Sequence, residues 1–280
     1  MKVARYWARV DFIAYDPEGN EKIISLYRRS DLSEADARRK ADAAGAELKQ
    51  RIEAGEDADW YDYQRRPRPE PIEREWFSSD GVRTAAITIN RHSIPILNTA
   101  SLVIVDVDLS DPPRPPSTIA RLFGKRPLPP PEEEPLRTVR AWCRISTSRS
   151  ARLYRTAGGL RYILPNLPLD PASDAAQALM AHLGADPNYA RLCKHQRSYR
   201  ARLAPKPWRI GVSVLRMASE ENLEDYKAEP DYQTYLHTSQ RYAVCKLIEH
   251  LGPPAQDPQS LDLICVHDEM CKVSSDLPLA

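Results

Sequence analysis

A chain of 280 residues, 42% hydrophobic and 28% charged, has the makeup of an ordinary globular protein with room for one large domain or two small ones, which excludes a disordered chain. Its 40 Lys+Arg stand against 39 Asp+Glu, so no global charge draws it to nucleic acid or membrane, and any such binding must come from a local patch. The five cysteines (Cys143, Cys193, Cys245, Cys265 and Cys271) contain no C-x-x-C pair and are odd in number, which argues against a zinc ribbon or a disulfide framework and for a reducing cytosol.

Met1 to Tyr6 lack the charged-then-apolar order of a secretory signal, and no apolar run approaches the roughly 18 residues of a membrane span. The expectation is a cytoplasmic protein with no membrane partner. Residues 1–29 read as a hairpin, Tyr6 to Tyr15 and Lys22 to Tyr27 flanking the turn-forming Asp16 to Asn20. A helix should follow, because Asp31 and Glu34 have capping-box spacing and Ala35, Ala37, Ala41, Ala44 and Leu48 make a small-residue stripe up to Gly55. This ββα unit carries no nameable chemistry and reads as an accessory or docking module. Residues 60–80 mix aromatics, arginines and prolines and read as a packed connector, since proline prevents regular pairing. The domain division expected is therefore 1–80 and 81–280.

Val82 to Asn90 alternates as a strand, and Ser93 to Leu97 is a second, shorter one. In Ser101 to Asp108 an apolar run meets alternating acids: Leu102 to Val105 read as a strand covered on both faces, and the period of two puts Asp106 and Asp108 on one face. Carboxylates about 7 Å apart on one strand face can jointly hold a hard cation such as Mg²⁺ or Mn²⁺. The alternative is a strand that simply ends in solvent. Prolines at 112–116 and 127–131 bracket a short Thr118 to Phe123 helical turn, a loop long enough to be a lid or an insertion. Helix resumes near Glu133 and runs toward Ser146.

Residues 151–164 read as a hairpin turning at Ala157 to Gly159, with Arg155 and Arg161 near the turn and able to face one side. Helices are expected over Asp170 to Leu183 and after Asp186-Pro187. Then comes the densest basic stretch, Arg191 to Arg209, in which Arg200 and Arg202 share a strand face as a basic ladder suited to phosphate oxygens, with Tyr189, Tyr199 and Trp208 available to stack bases. A solvated edge strand is the alternative. Glu220 to Asp231 reads as an acidic loop with a helical turn. Tyr232 to Leu251 reads as one amphipathic helix stopped by Gly252-Pro253-Pro254, its His237 and His250 in no metal spacing. Ser260 to Glu269 is a second apolar run ending in acids, strand or helix by its length, in which Asp268 is placed to complete a three-carboxylate set if it is a strand.

Acids separated by one residue at a strand end, a later glycine hairpin, an arginine-rich strand and a last apolar run ending in Asp: this order resembles the archaeo-eukaryotic primase and primase-polymerase superfamily, over about residues 82–275. The resemblance implies an α+β fold with a mixed or antiparallel RRM/palm-like sheet and flanking helices, beside the N-terminal ββα unit. It also implies that Asp106, Asp108 and Asp268 hold Mg²⁺ or Mn²⁺, with Asp262 a weaker match to the last acid. Arg155, Arg161, Arg200, Arg202 and Lys206 would bind nucleotide phosphates. The partners implied are a nucleoside triphosphate and a single-stranded or primer-template nucleic acid. In the family's second motif a histidine follows the small residue; here Arg161 stands there and stays protonated, which bears on catalysis more than on nucleotide binding.

Two-metal nucleotidyl transfer is the function so implied. A non-catalytic nucleic-acid-binding or regulatory protein on the same fold is the first alternative. A metal-dependent nuclease is the second.

Overall fold

The computed structural model describes residues 1–56, 69–109, 130–213 and 223–280. The proline-bracketed loop with its Thr118 to Phe123 turn, the first part of the expected connector and the start of the acidic run at Glu220 lie outside the described residues. Among the described residues no helix is long and apolar enough to cross a membrane.

The protein is α+β, built of antiparallel sheets and helices. Strands β1 (Tyr6–Tyr15) and β2 (Glu21–Ser30) pair from Tyr6 opposite Ser30 to Tyr15 opposite Glu21. Asp16 closes their turn by accepting from the Asn20 N–H at 2.8 Å. Helix α1 (Glu34–Glu53) lies on this hairpin, its Ala37 and Ala41 against Ala8, and its Leu48 and Ile52 against Ala14 and Ile24. The small stripe permits this close approach: a Cβ on Gly45 would stand 3.1 Å from Val10 Cγ1. The cap is Ser33, whose hydroxyl accepts from the Asp36 N–H at 3.1 Å, and not Asp31. Short polar links tie this unit to the rest, including Lys2 N–H to the Gln196 carbonyl at 2.7 Å and an Arg5–Glu75 ion pair at 2.8 Å.

The chain continues through β3 (Ile72–Phe77), β4 (Arg83–Ile89), β5 (Pro95–Thr99), β6 (Val103–Asp108), α2 (Glu133–Arg144), β7 (Ala151–Thr156) and β8 (Gly159–Leu164). It ends with α3 (Asp174–His182), α4 (Pro187–Gln196), β9 (Tyr199–Arg202), a single 3-10 turn at Pro207–Arg209, α5 (Leu223–Ala228), α6 (Pro230–Ser239), β10 (Cys245–Leu251) and α7 (Pro258–Met270). Two four-stranded antiparallel sheets result, in the orders β3-β4-β5-β9 and β10-β7-β8-β6, where one sheet was expected.

Two local expectations are corrected. Residues 72–77, read as connector, are β3; Pro71 stands just before it and supplies only its carbonyl, to the Ile89 N–H at 2.9 Å, so the missing amide costs nothing there. The single helix expected over Tyr232 to Leu251 divides into α6 and β10. Its apolar spacing fits a helix locally, but Val244 to Leu251 are β-compatible residues, and the hydrogen-bonding edge of β7 recruits them.

The two sheets meet at β6 and β9. Tyr189 of α4 fills the joint, its hydroxyl donating to the Ile104 carbonyl at 2.7 Å and accepting from the Arg200 N–H at 3.3 Å. Helix α7 spans both sheets: Gln259 donates to Thr84 Oγ1 at 2.7 Å on one, and Asp268 accepts from the Tyr154 hydroxyl at 2.9 Å on the other. One apolar core runs through this arrangement, including Val105, Leu153 and Tyr162 of the second sheet, Trp142 of α2 and Leu263 of α7.

Candidate functional site

Strand β6 carries Asp106 opposite Arg161 of β8, and Asp108 opposite Gly159. Arg161 is 1% exposed and uses its whole fork: Nε donates to Asp106 Oδ1 at 2.7 Å, Nη2 to Asp106 Oδ2 at 3.2 Å, and Nη1 to the Arg202 carbonyl at 2.9 Å. Burial alone would lower the guanidinium pKa, but the Asp106 charge outweighs it and holds the group firmly protonated. Asp106 is therefore neutralised by an internal cation, and Arg161 has no N–H directed to solvent. Asp108 is exposed and has no ion pair among the described residues.

Asp268 lies on helix α7, not on a strand, and its carboxylate is engaged inside the fold. It accepts from Arg152 Nη2 at 2.5 Å, from the Tyr154 hydroxyl at 2.9 Å and faces His267 Nδ1 at 2.9 Å. Burial raises its pKa, yet His267, Arg152 and Tyr154 together bring it below the usual carboxylate range. Among the described residues it connects to Asp106 through His267 and Arg161, His267 Nε2 standing 3.2 Å from Arg161 Nη1. Asp262 accepts from Trp76 Nε1 at 2.6 Å. The three acids expected to converge on a hard cation are thus one free and two already paired.

The expected basic ladder resolves in the same manner. Strand register places Arg155 opposite Leu160 and Arg161 opposite Tyr154, so these two arginines leave β7 and β8 on opposite faces, a register the sequence had left open. Arg155 pairs with Glu132. Arg200 is buried and pairs with Glu70 at 3.0 Å, while Arg197 pairs with Asp170 at 2.8 Å and Lys194 with Asp174 at 3.4 Å. The stretch has no acid within it, yet carboxylates distant in sequence neutralise three of its seven Lys and Arg side chains.

What remains is a cationic corner. Among the described residues, the side chains of Arg202, Lys206 and Arg209 make no hydrogen bond or ion pair. Burial, opposed by Asp106 and reinforced by Arg161 and Arg209, lowers the Arg202 pKa. Burial, then Arg202 and Arg209, lowers that of Lys206, while Asp108 and Asp106 act in the opposite sense. Arg209 reaches over the β7–β8 turn, where a Cβ on Gly158 would meet its Nη2 at 2.8 Å. Trp208 is 48% exposed beside it, with Lys206 Nζ 5.4 Å above the ring and His92 edge-on at 5.5 Å. Trp208 was named as a stacking face, whereas Arg209 lay in the basic stretch without being singled out for the site; a 3-10 turn leaves no periodic signal to find it by.

A second cluster was missed entirely. Cys245 of β10, His267 of α7 and Cys271 at the end of α7 are buried with their ligand atoms within 4.8 Å of one another. A hydrogen bond from Cys271, assisted by His267 and Arg161, brings the Cys245 thiol below its ordinary value against burial, while burial and the neighbouring Cys245 push Cys271 up. The H-x-x-x-C spacing of His267 and Cys271, one helical turn apart, was the available signal.

No protein-family model, curated protein or solved structure matches the chain.

Proposed function

We propose that the corner formed by Arg202, Lys206 and Arg209 binds the phosphates of a nucleotide or a single-stranded nucleic acid, on a palm-like sheet that does no metal-dependent catalysis. The carrying observation is that these three cations lie close to one another, Arg209 over the β7–β8 turn, and make no hydrogen bond or ion pair among the described residues. Such charge held together against mutual repulsion favours a polyanion, and guanidinium groups match phosphate oxygens bidentately. Trp208, half exposed and flanked by Lys206 and His92, offers a face on which a base can stack.

The primase-like ordering of parts motivates the nucleic-acid choice, and two observations favour its non-catalytic form. Asp106 is neutralised by Arg161, and Arg161 occupies the place where the resemblance calls for a neutral imidazole. Metal binding at Asp106 would require stripping a buried guanidinium of its counterion, which costs several kcal/mol by analogy with other buried pairs, about 3–5.

The test is fluorescence anisotropy of a labelled single-stranded oligonucleotide across a salt series, with and without Mg²⁺ or Mn²⁺. Binding should fall steeply with salt, ignore the divalent cation and weaken in Arg209→Ala and Trp208→Ala. Mn²⁺-dependent lengthening of a primer that disappears in Asp108→Ala would replace this reading with nucleotidyl transfer. Mn²⁺-dependent shortening lost in the same variant would replace it with a nuclease.

A further inference from the structure

We infer that Cys245, His267 and Cys271 form a buried structural site for a thiophilic d¹⁰ cation, Zn²⁺ by charge. The site is separate from the cationic corner and does not rest on the function proposed for it.

Geometry comes first. Three potential ligand atoms lie within 4.8 Å of one another, a spread that a single ion can bridge at ordinary Zn–S and Zn–N distances of about 2.3 and 2.1 Å. They come from two elements that tertiary packing holds together, since the Val244 N–H donates to the Cys271 carbonyl at 3.0 Å. The imidazole is already oriented for ligation: Asp268 Oδ1 faces His267 Nδ1 at 2.9 Å, which directs Nε2 at the sulfurs, 3.9 Å from Cys245 Sγ. Asp268 is in turn fixed by Arg152 and Tyr154. A carboxylate behind a metal-facing histidine is the arrangement that sets its tautomer and raises its donor strength. The Cys271 thiol now donates to the Arg202 carbonyl at 3.5 Å, a proton that metal loading removes.

Charge comes second. Arg161 is balanced by Asp106 and Arg152 by Asp268. Two thiolates and one divalent cation add no net charge, so loading leaves the interior as balanced as before, whereas Mg²⁺ would find sulfur and nitrogen donors it does not favour. Arg161 Nη1 now stands 3.2 Å from Nε2; on loading it gives up that one contact and keeps Asp106 and the Arg202 carbonyl. Buried thiols alone are ordinary core residues. What distinguishes this pair is a fully buried imidazole between them and a carboxylate.

The experiment uses the full chain, purified under reducing conditions, stripped of metal and titrated with Co²⁺. One equivalent should produce thiolate-to-cobalt absorption in the near ultraviolet and strong visible bands of tetrahedral cobalt, both removed by stoichiometric Zn²⁺. Cys271→Ser should lower the near-ultraviolet band by roughly half, one of two thiolates being lost. Cys265→Ser should leave it unchanged, because Cys265 is exposed on the same helix. A second readout needs no variant: Zn²⁺ should slow maleimide labelling of Cys245 and Cys271 in wild type while Cys265 labels at its former rate. A weak octahedral cobalt spectrum, labelling indifferent to Zn²⁺, or isolation of the chain with a Cys245–Cys271 disulfide would each overturn the inference.

Discussion

Arg161 and Asp106 face each other across β8 and β6, and Arg161 donates two hydrogen bonds to the carboxylate, at 2.7 and 3.2 Å. The same guanidinium also holds the Arg202 carbonyl of β9 at 2.9 Å, so one side chain joins both sheets. Removing either partner alone leaves a buried charge uncompensated. Asp106→Ala or Arg161→Ala should therefore cost about 3–5 kcal/mol in urea unfolding, and the double variant Asp106→Leu/Arg161→Met should cost less than either single change. Costs that simply add would show the two residues to be independent.

The turn between β7 and β8 separates a folding role from a binding role in adjacent glycines. A Cβ on Gly159 would stand 2.0 Å from the Val107 carbonyl oxygen, a backbone atom that cannot yield without breaking the β6–β8 pairing. Gly159→Ala should destabilise by about 3 kcal/mol. A Cβ on Gly158 would meet only the tip of Arg209 at 2.8 Å, which can swing away. Gly158→Ala should leave stability within about 0.5 kcal/mol of wild type and weaken oligonucleotide binding, as seen by urea titration and anisotropy on the same samples.

Lys206 links binding to protons. Burial and its neighbours Arg202 and Arg209 depress its pKa in the free protein, and a phosphate beside it raises that pKa again. Between the free and bound values, binding takes up a proton, so affinity should fall as pH rises through that window below 10.5. Lys206→Arg, charged throughout, should flatten the decline. An unchanged pH profile in that variant would remove Lys206 from the contact.

Arg209 reports on phosphate contact by salt dependence. If it meets one phosphate, Arg209→Ala should reduce the slope of log affinity against log salt by about 0.7 for a single strand. Lys194→Ala, at a position paired with Asp174, should leave that slope unaltered.

Tyr189 closes the joint between the sheets, its hydroxyl shared by the Ile104 carbonyl and the Arg200 N–H. Tyr189→Phe leaves both backbone groups without that partner and should cost about 1–3 kcal/mol, with faster hydrogen exchange at Arg200 as the local readout.

Local pattern in the sequence determined the N-terminal hairpin and its helix, the strand ending in Asp106 and Asp108, the 151–164 hairpin and the Asp186-Pro187 helix start, because each depends on periodicity or turn chemistry within a dozen residues. It also contained the reason β10 was misread: Tyr232 to Leu251 satisfies a helical stripe, and only the open edge of β7 selects a strand for its second half. Tertiary structure alone decided which charges remain available. Glu70 pairs with Arg200 from 130 positions away, Asp106 pairs with Arg161 across 55, and Cys245 meets His267 across 22. Electrostatic pairing and metal-ligand geometry depend on distance in space, and no spacing along a chain encodes which distant side chain will stand opposite.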